Sequence, residues 1–145
     1  MARLLVIEDG DEYEEFAKLF LSGRYAIVAA RSYARALELA EEGVDAMLID
    51  LRFERAEPAD LIGDVEDTAR RVFAGDTARA ARWIKEQQGT LILAALREAG
   101  HHEPAVFVHD FTERRVANLR ALYGKVGAVP SFDAARILAA LESFA

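Results

Sequence analysis

Five short apolar runs punctuate this chain, and between most of them apolar residues recur every three or four positions. Leu4-Leu5-Val6-Ile7 within 3–7, residues 25–30, Ala46-Met47-Leu48-Ile49, Ala105–Val108 and Val126–Val129 are too short for helices. Uninterrupted apolar runs of this length predict strands buried on both faces of a parallel sheet. The intervening stretches predict helices. Tyr13, Phe16, Ala17 and Phe20 form one stripe over about 12–22, with Asp11 as cap, Glu14 as its capping-box partner and Gly23 as stop. Ser32 opens a second helix ending near Glu42, with Tyr33, Ala36, Leu37 and Ala40 on one face. Further helices are predicted from Gly89 to Ala99, from Thr112 to Tyr123, and from Asp133 through Ile137, Leu138 and Leu141.

One segment breaks the alternation. Residues 51–67 lack periodicity and carry Glu54, Glu57, Asp60, Asp64, Glu66 and Asp67 against only Arg52 and Arg55. A helical stretch over about 68–87 follows, rich in arginine. There Asp67-Thr68-Ala69-Arg70 recurs as Asp76-Thr77-Ala78-Arg79. These read as two helix starts capped by Asp or Thr, separated at Gly75. The pattern as a whole is five strands alternating with five helices, plus an insertion at 52–88. It predicts an α/β, flavodoxin-like doubly wound parallel sheet with strand order 2-1-3-4-5 and right-handed crossovers.

Length and composition narrow the classes. A chain of 145 residues fits a single domain spanning 1–145, with 52% hydrophobic and 30% charged residues. The absence of cysteine excludes disulfides and thiolate chemistry. No apolar stretch approaches membrane-spanning length and strand one starts almost at once, so a cytoplasmic protein without a signal peptide is expected. The net charge of −7 argues against nucleic acid as a partner.

The candidate chemistry lies where strands end. The first strand runs into Glu8-Asp9 and the third into Asp50. With the predicted strand order these two strands are neighbours at the sheet's switch point, where ligands gather. Carboxylates crowded together repel one another and favour a hard divalent cation such as Mg²⁺. A central carboxylate there could attack phosphorus and become an acyl phosphate. Taken singly, each of these acids has a plainer role as a helix cap or solvated side chain.

At these residues the sequence resembles the receiver domain of two-component response regulators. RLLVIEDG (Arg3–Gly10) is similar to that family's first strand and acidic pair. AARSYARALELAEEGVDAMLIDL, from Ala29, resembles its second helix and third strand, and Gly89–Val108 its third helix and fourth strand. The last fifteen residues resemble its fifth helix, so the likeness covers most of the chain outside 52–88. The resemblance implies that Asp50 is the phospho-acceptor and that Glu8, Asp9, Asp50 and the backbone carbonyl of Arg52 hold Mg²⁺. It implies a histidine kinase or phosphotransfer protein as donor and a downstream protein as partner, with the oligomeric state open.

The departures define the alternatives. His109 stands where receivers carry Ser or Thr, and is a candidate to contact the phosphoryl group in its place. Val129 stands before Pro130 where they carry Lys, while Lys125 lies at the wrong end of its strand. Gly127-Ala128 replaces the family's aromatic switch residue. The first hypothesis is a stand-alone receiver signalling by protein contacts. The second is a pseudo-receiver, a binding module that works without phosphorylation. A remote third is a haloacid-dehalogenase-like phosphatase, from Asp9-x-Asp11, although Tyr13 occupies the place of that motif's Thr or Val. For the insertion, the expectation is that its acidic and basic halves pair with each other. The alternative is that Arg70, Arg71, Arg79 or Arg82 folds over the site and replaces the missing lysine. Trp83 and Ile84 are expected to dock the insertion on the body. Arg114, Arg115 and Arg120, like His101-His102, read as solvated.

Overall fold

In this computed structural model, which describes residues 1–144, every predicted strand forms within one residue of its expected limits. The order is β1 (Ala2–Ile7), α1 (Glu12–Phe20), β2 (Tyr25–Ala30), α2 (Tyr33–Glu42) and β3 (Ala46–Ile49). A short 3-10 turn (Pro58–Asp60), α3 (Val65–Val72), α4 (Thr77–Glu86) and α5 (Gln88–Glu98) follow. β4 (Ala105–Val108), α6 (Glu113–Tyr123), β5 (Val126–Val129) and α7 (Ala134–Glu142) complete the chain. All strands pair in parallel in the order β2-β1-β3-β4-β5, the flavodoxin-like arrangement expected.

The two-residue period of the strands divides the core into two layers. Leu4, Val6, Leu48 and Val106 face Ala17 and Leu21 from the α1 side and Ile137 and Leu141 from α7. Leu5, Ile7, Met47, Ile49 and Phe107 face the opposite way, against Ala36 and Leu39 of α2, Ile92 and Leu96 of α5 and Leu119 of α6. The uninterrupted apolar runs thus exist because both faces are covered.

The insertion departs and returns at a single point. The Phe53 N–H donates to the Lys85 carbonyl at 2.9 Å, and the Gly89 N–H to the Leu51 carbonyl at 2.9 Å. With its ends this close, the segment leaves the end of β3 bonded to the start of α5. Nor is it an appendage: Phe53 is fully buried in the α2–α5–α6 layer. Buried Gln88 pins its middle, accepting from the Ile62 N–H and donating to the Ile62 carbonyl, both at 2.9 Å. Ile84 is buried as expected, whereas Trp83 is half-buried and packs edge-on to Phe73.

The N-caps differ from expectation in two places, and the C-cap of α1 is Leu21 rather than Gly23. Ser32, Thr112 and Asp133 accept from the third residue of their helices, as the sequence suggests. Asp76 caps α4, but α3 starts earlier than expected and is capped by Asp64, leaving Asp67 in its first turn. Asp11 makes no side-chain cap bond to α1. Glu8 takes that role from the end of the preceding strand, because its burial leaves the helix N–H groups as its available donors.

Candidate functional site

The carboxyl ends of β1 and β3 bring Glu8, Asp9 and Asp50 to one edge of the sheet, since Ile7 pairs with Ile49. Their carboxylates nevertheless turn to different partners. Glu8 is 1% exposed and points beneath α1, where Oε1 accepts from the Tyr13 N–H at 3.0 Å and Oε2 from the Glu14 N–H at 2.8 Å. Burial raises its pKa, and the two amide donors at the positive end of the helix oppose that shift.

Asp9 has a side chain only 4% exposed, and its Oδ2 accepts from the Arg55 N–H at 2.7 Å. The Arg55 guanidinium lies 3.7 Å from Asp9 Oδ1 and forms a fork onto Glu12, with Nη1–Oε1 at 2.9 Å and Nη2–Oε2 at 2.8 Å. That fork holds the Glu12 carboxyl down at about 2, by hydrogen bonding and by charge.

Asp50 is half-buried. Its Oδ1 lies 3.4 Å from the Arg52 N–H and 3.3 Å from the Tyr13 hydroxyl, which also donates to the Val108 carbonyl at 3.1 Å. Burial pushes its pKa from 3.8 up to about 6, with the charges of Asp9 and Glu8 adding to the rise and the two donors opposing it. The Tyr13 hydroxyl is pushed well above its ordinary range, by burial first and then by Asp50. It therefore stays a protonated donor. Asp9, Asp50, Arg52, Glu54 and Arg55 line one shallow groove of about 380 Å³.

The raised Asp50 pKa sets the sign of a stability effect. The folded chain holds the Asp50 proton more tightly than the unfolded chain, so stability falls as pH rises from about 4 to about 6. Asp50→Asn removes that loss. In buffer free of divalent cations the variant is expected to exceed wild type by about 1–2 kcal/mol at neutral pH, after discounting for partial exposure. Urea denaturation across the pH range checks this, and the gain must vanish near pH 4 (roughly the unfolded carboxyl pKa).

The carboxylates do not fit the divalent cation that the resemblance implies. Both Glu8 oxygens are taken by amides, and Asp9 is taken by Arg55. Among the described residues no group of three or more His, Asp or Glu side chains is disposed to hold a metal ion.

The other expected site residues are dispersed. The His109 ring meets Phe111 at a tilt of 58°, with centroids 4.7 Å apart, and lines a separate groove with Ala128 and Pro130; burial and the nearby Arg52 lower its pKa. Val129 is buried, and its carbonyl accepts from the His109 N–H. Lys125 lies at the far end of the sheet, where its carbonyl accepts from the Ala105 N–H. None of the four arginines named as the alternative lysine replacements lines the groove. Arg70 and Arg71 pair with Asp67, Arg79 covers the Phe73 ring at 5.1 Å, and Arg82 lines a groove with Phe73 and Trp83. Arg115 and Arg120 are not simply solvated, since they donate to Gln87 Oε1 and to the Val126 carbonyl.

Two site residues escape the sequence reading. Tyr13 counts there as part of an apolar stripe and as a departure from the phosphatase motif, not as a partner of Asp50. Arg55 counts only as one of two cations in an acidic stretch, and that scarcity is the signal that could have singled it out. Tyr13 also meets Phe132 edge-on at 4.8 Å, and Phe132 meets Phe16 at 4.9 Å, so an aromatic row runs from Asp50 toward exposed Phe20.

No protein-family model matches the sequence, and no curated protein matches it. Solved structures match over nearly the whole chain. A response regulator receiver domain protein from Clostridium thermocellum superposes with a TM-score of 0.65 at 13% identity, covering 99% of this chain and 93% of its own. Chemotaxis response regulator CheY4 of Vibrio cholerae gives 0.65 at 15% identity, covering 100% and 99%. A Burkholderia pseudomallei response regulator, solved with a phosphorylated aspartic acid, a calcium ion and citrate, gives 0.63 at 16% identity, covering 97% and 66%. At these identities the fold is what is shared: the chain has the receiver fold. Among the described residues, no helix is long and apolar enough to cross a membrane.

Proposed function

We propose that this receiver-fold chain is a module of two-component signal transduction in which Asp50 accepts a phosphoryl group. The donor is the phosphohistidine of a kinase or phosphotransfer protein in the cytoplasm, and a downstream protein reads the altered surface. The observation that carries this reading is the placement of Asp50. It ends the central strand β3, half-buried, and lines an open groove beside two arginines. An Asp50 oxygen forms the new bond to phosphorus as the bond from phosphorus to the histidine nitrogen breaks. Tyr13 and the Arg52 N–H orient the carboxylate through Oδ1. The Arg52 and Arg55 guanidiniums offset the charge that arrives, the part lysine plays in the family. The chain acts as an acceptor and carries out no catalytic turnover on a substrate.

Acetyl phosphate tests the proposal, with and without Mg²⁺. Wild type should gain the mass of one phosphoryl group and Asp50→Asn should not. The attacking species is the ionised carboxylate, so the rate should fall as pH drops through about 6. No adduct under any condition would sink the proposal. Steady phosphate release from small phosphoesters would instead favour the phosphatase reading.

A second reading has its own observation. Arg55 holds Asp9 from the insertion side, and the family's lysine and hydroxyl positions are Val129 and His109. These features suit a pseudo-receiver that binds partners without phosphorylation, which an absent adduct together with an intact fold would support.

A further inference from the structure

The acidic edge has no fitting place for a divalent cation, yet it contains a cation of its own. We infer that the Arg55 guanidinium takes the charge-balancing place of a divalent metal at this edge, so that wild-type protein does not take up Mg²⁺ there until Arg55 is displaced. The inference goes beyond the proposed function and holds whether or not Asp50 is phosphorylated.

Three observations carry it. Arg55 contacts the β1 end twice, through its backbone N–H to Asp9 Oδ2 at 2.7 Å and its guanidinium 3.7 Å from Asp9 Oδ1. The guanidinium is clamped by two hydrogen bonds to Glu12, the geometry in which an arginine is best held in place. Its path crosses Gly10, where a Cβ would lie 2.1 Å from Arg55 Nη2 and 2.7 Å from Arg55 Cζ. Glycine at 10 therefore leaves the room in which the guanidinium rests. A monovalent, tethered guanidinium beside Asp9 repels an incoming Mg²⁺ and uses the carboxylate that would have bound it. Asp9, Asp50 and Glu54 share the groove on which Arg55 sits, so displacing the guanidinium leaves three carboxylates at one opening. That is enough for Mg²⁺, which retains most of its waters and takes one or two carboxylates.

The test measures binding of Mn²⁺, followed by its electron paramagnetic resonance, with Mg²⁺ as competitor. The full chain is used as wild type, Arg55→Met and Gly10→Ala, each with and without Asp9→Asn. Wild type should bind Mn²⁺ no better than its own Asp9→Asn partner, which reports only the diffuse attraction of the acidic surface. Arg55→Met should bind at least about tenfold more tightly, a gain that Asp9→Asn abolishes. Gly10→Ala keeps Arg55 but pushes its guanidinium aside, and should show the same gain. It also serves if Arg55→Met fails to fold. Asp9-dependent Mn²⁺ binding by wild type would overturn the inference. So would the absence of any gain in a folded Arg55→Met or Gly10→Ala protein.

Discussion

Phe53→Ala is expected to lower the unfolding free energy by about 3–5 kcal/mol, the range for truncating a fully buried aromatic side chain. Phe53 is 0% exposed and packs in the layer that contains Ile7, Ile49, Ile92 and Phe107. It also lies two residues into the segment that interrupts the regular pattern, so its loss separates two descriptions of that segment. If residues 52–88 were an appendage, the truncation would disturb only their local docking and cost well under about 1 kcal/mol. Because Phe53 fills space between the sheet and the helices of the body, the whole domain should feel the cavity. Urea denaturation followed by far-UV circular dichroism reports the global transition, and a midpoint within error of wild type would refute the integrated core. The neighbouring Glu54→Ala, at an exposed position of the same segment, should leave the midpoint almost unchanged.

Gly89→Ala is expected to destabilise by about 1–3 kcal/mol even though it lies in a helix, where alanine is intrinsically favoured over glycine by about 1 kcal/mol. The added Cβ would sit 2.2 Å from the Asp50 carbonyl oxygen and 2.9 Å from Leu51 Cα. Both obstacles are backbone, so no side chain can turn away to make room. Helix α5 must instead back off from the end of β3, stretching the 2.9 Å hydrogen bond from the Gly89 N–H to the Leu51 carbonyl. Steric cost therefore outweighs helix propensity. The strain falls on Asp50 itself, and amide NMR shifts at 50–52 should move most. Gly23→Ala is the matched control, because nothing lies within 4 Å of its added Cβ. Equal stability of the two alanine variants would refute the close approach of α5 to the acceptor strand.

The same close approach explains how so long an insertion is tolerated. In a right-handed β–α–β crossover the chain passes once from the strand end to the covering helix. Here that passage is opened into 52–88, but Leu51 and Gly89 remain bonded to each other, so β3 and α5 keep their relation. The excursion then lies above the carboxyl edge of the sheet. This location is what allows Arg55 to reach Asp9 and Glu12.

Local chemistry was enough to read most of the architecture from the sequence. A run such as Met47-Leu48-Ile49 has no polar face to offer water, so it must lie in a sheet covered on both sides. Stripes such as Ile92 and Leu96 of α5 and Val116 and Leu119 of α6, with caps at Ser32, Thr112 and Asp133, define helices by contacts within three or four residues. Alternation of these elements then limits the topology to few choices, and the observed strand order is the expected one. That Glu8, Asp9 and Asp50 gather at one edge follows from the same logic, since each ends a strand. What each carboxylate does there was decided only by the tertiary structure. Glu8 serves α1 because burial leaves it the helix amides as partners, and Asp9 meets a residue 46 positions away. Asp50 meets Tyr13 across 37 positions. Sequence periodicity encodes which face of an element is buried, but not which distant polar group comes to rest against a buried charge. That choice depends on the path of the whole chain around the sheet, and it turned the acidic edge into one held by Arg55.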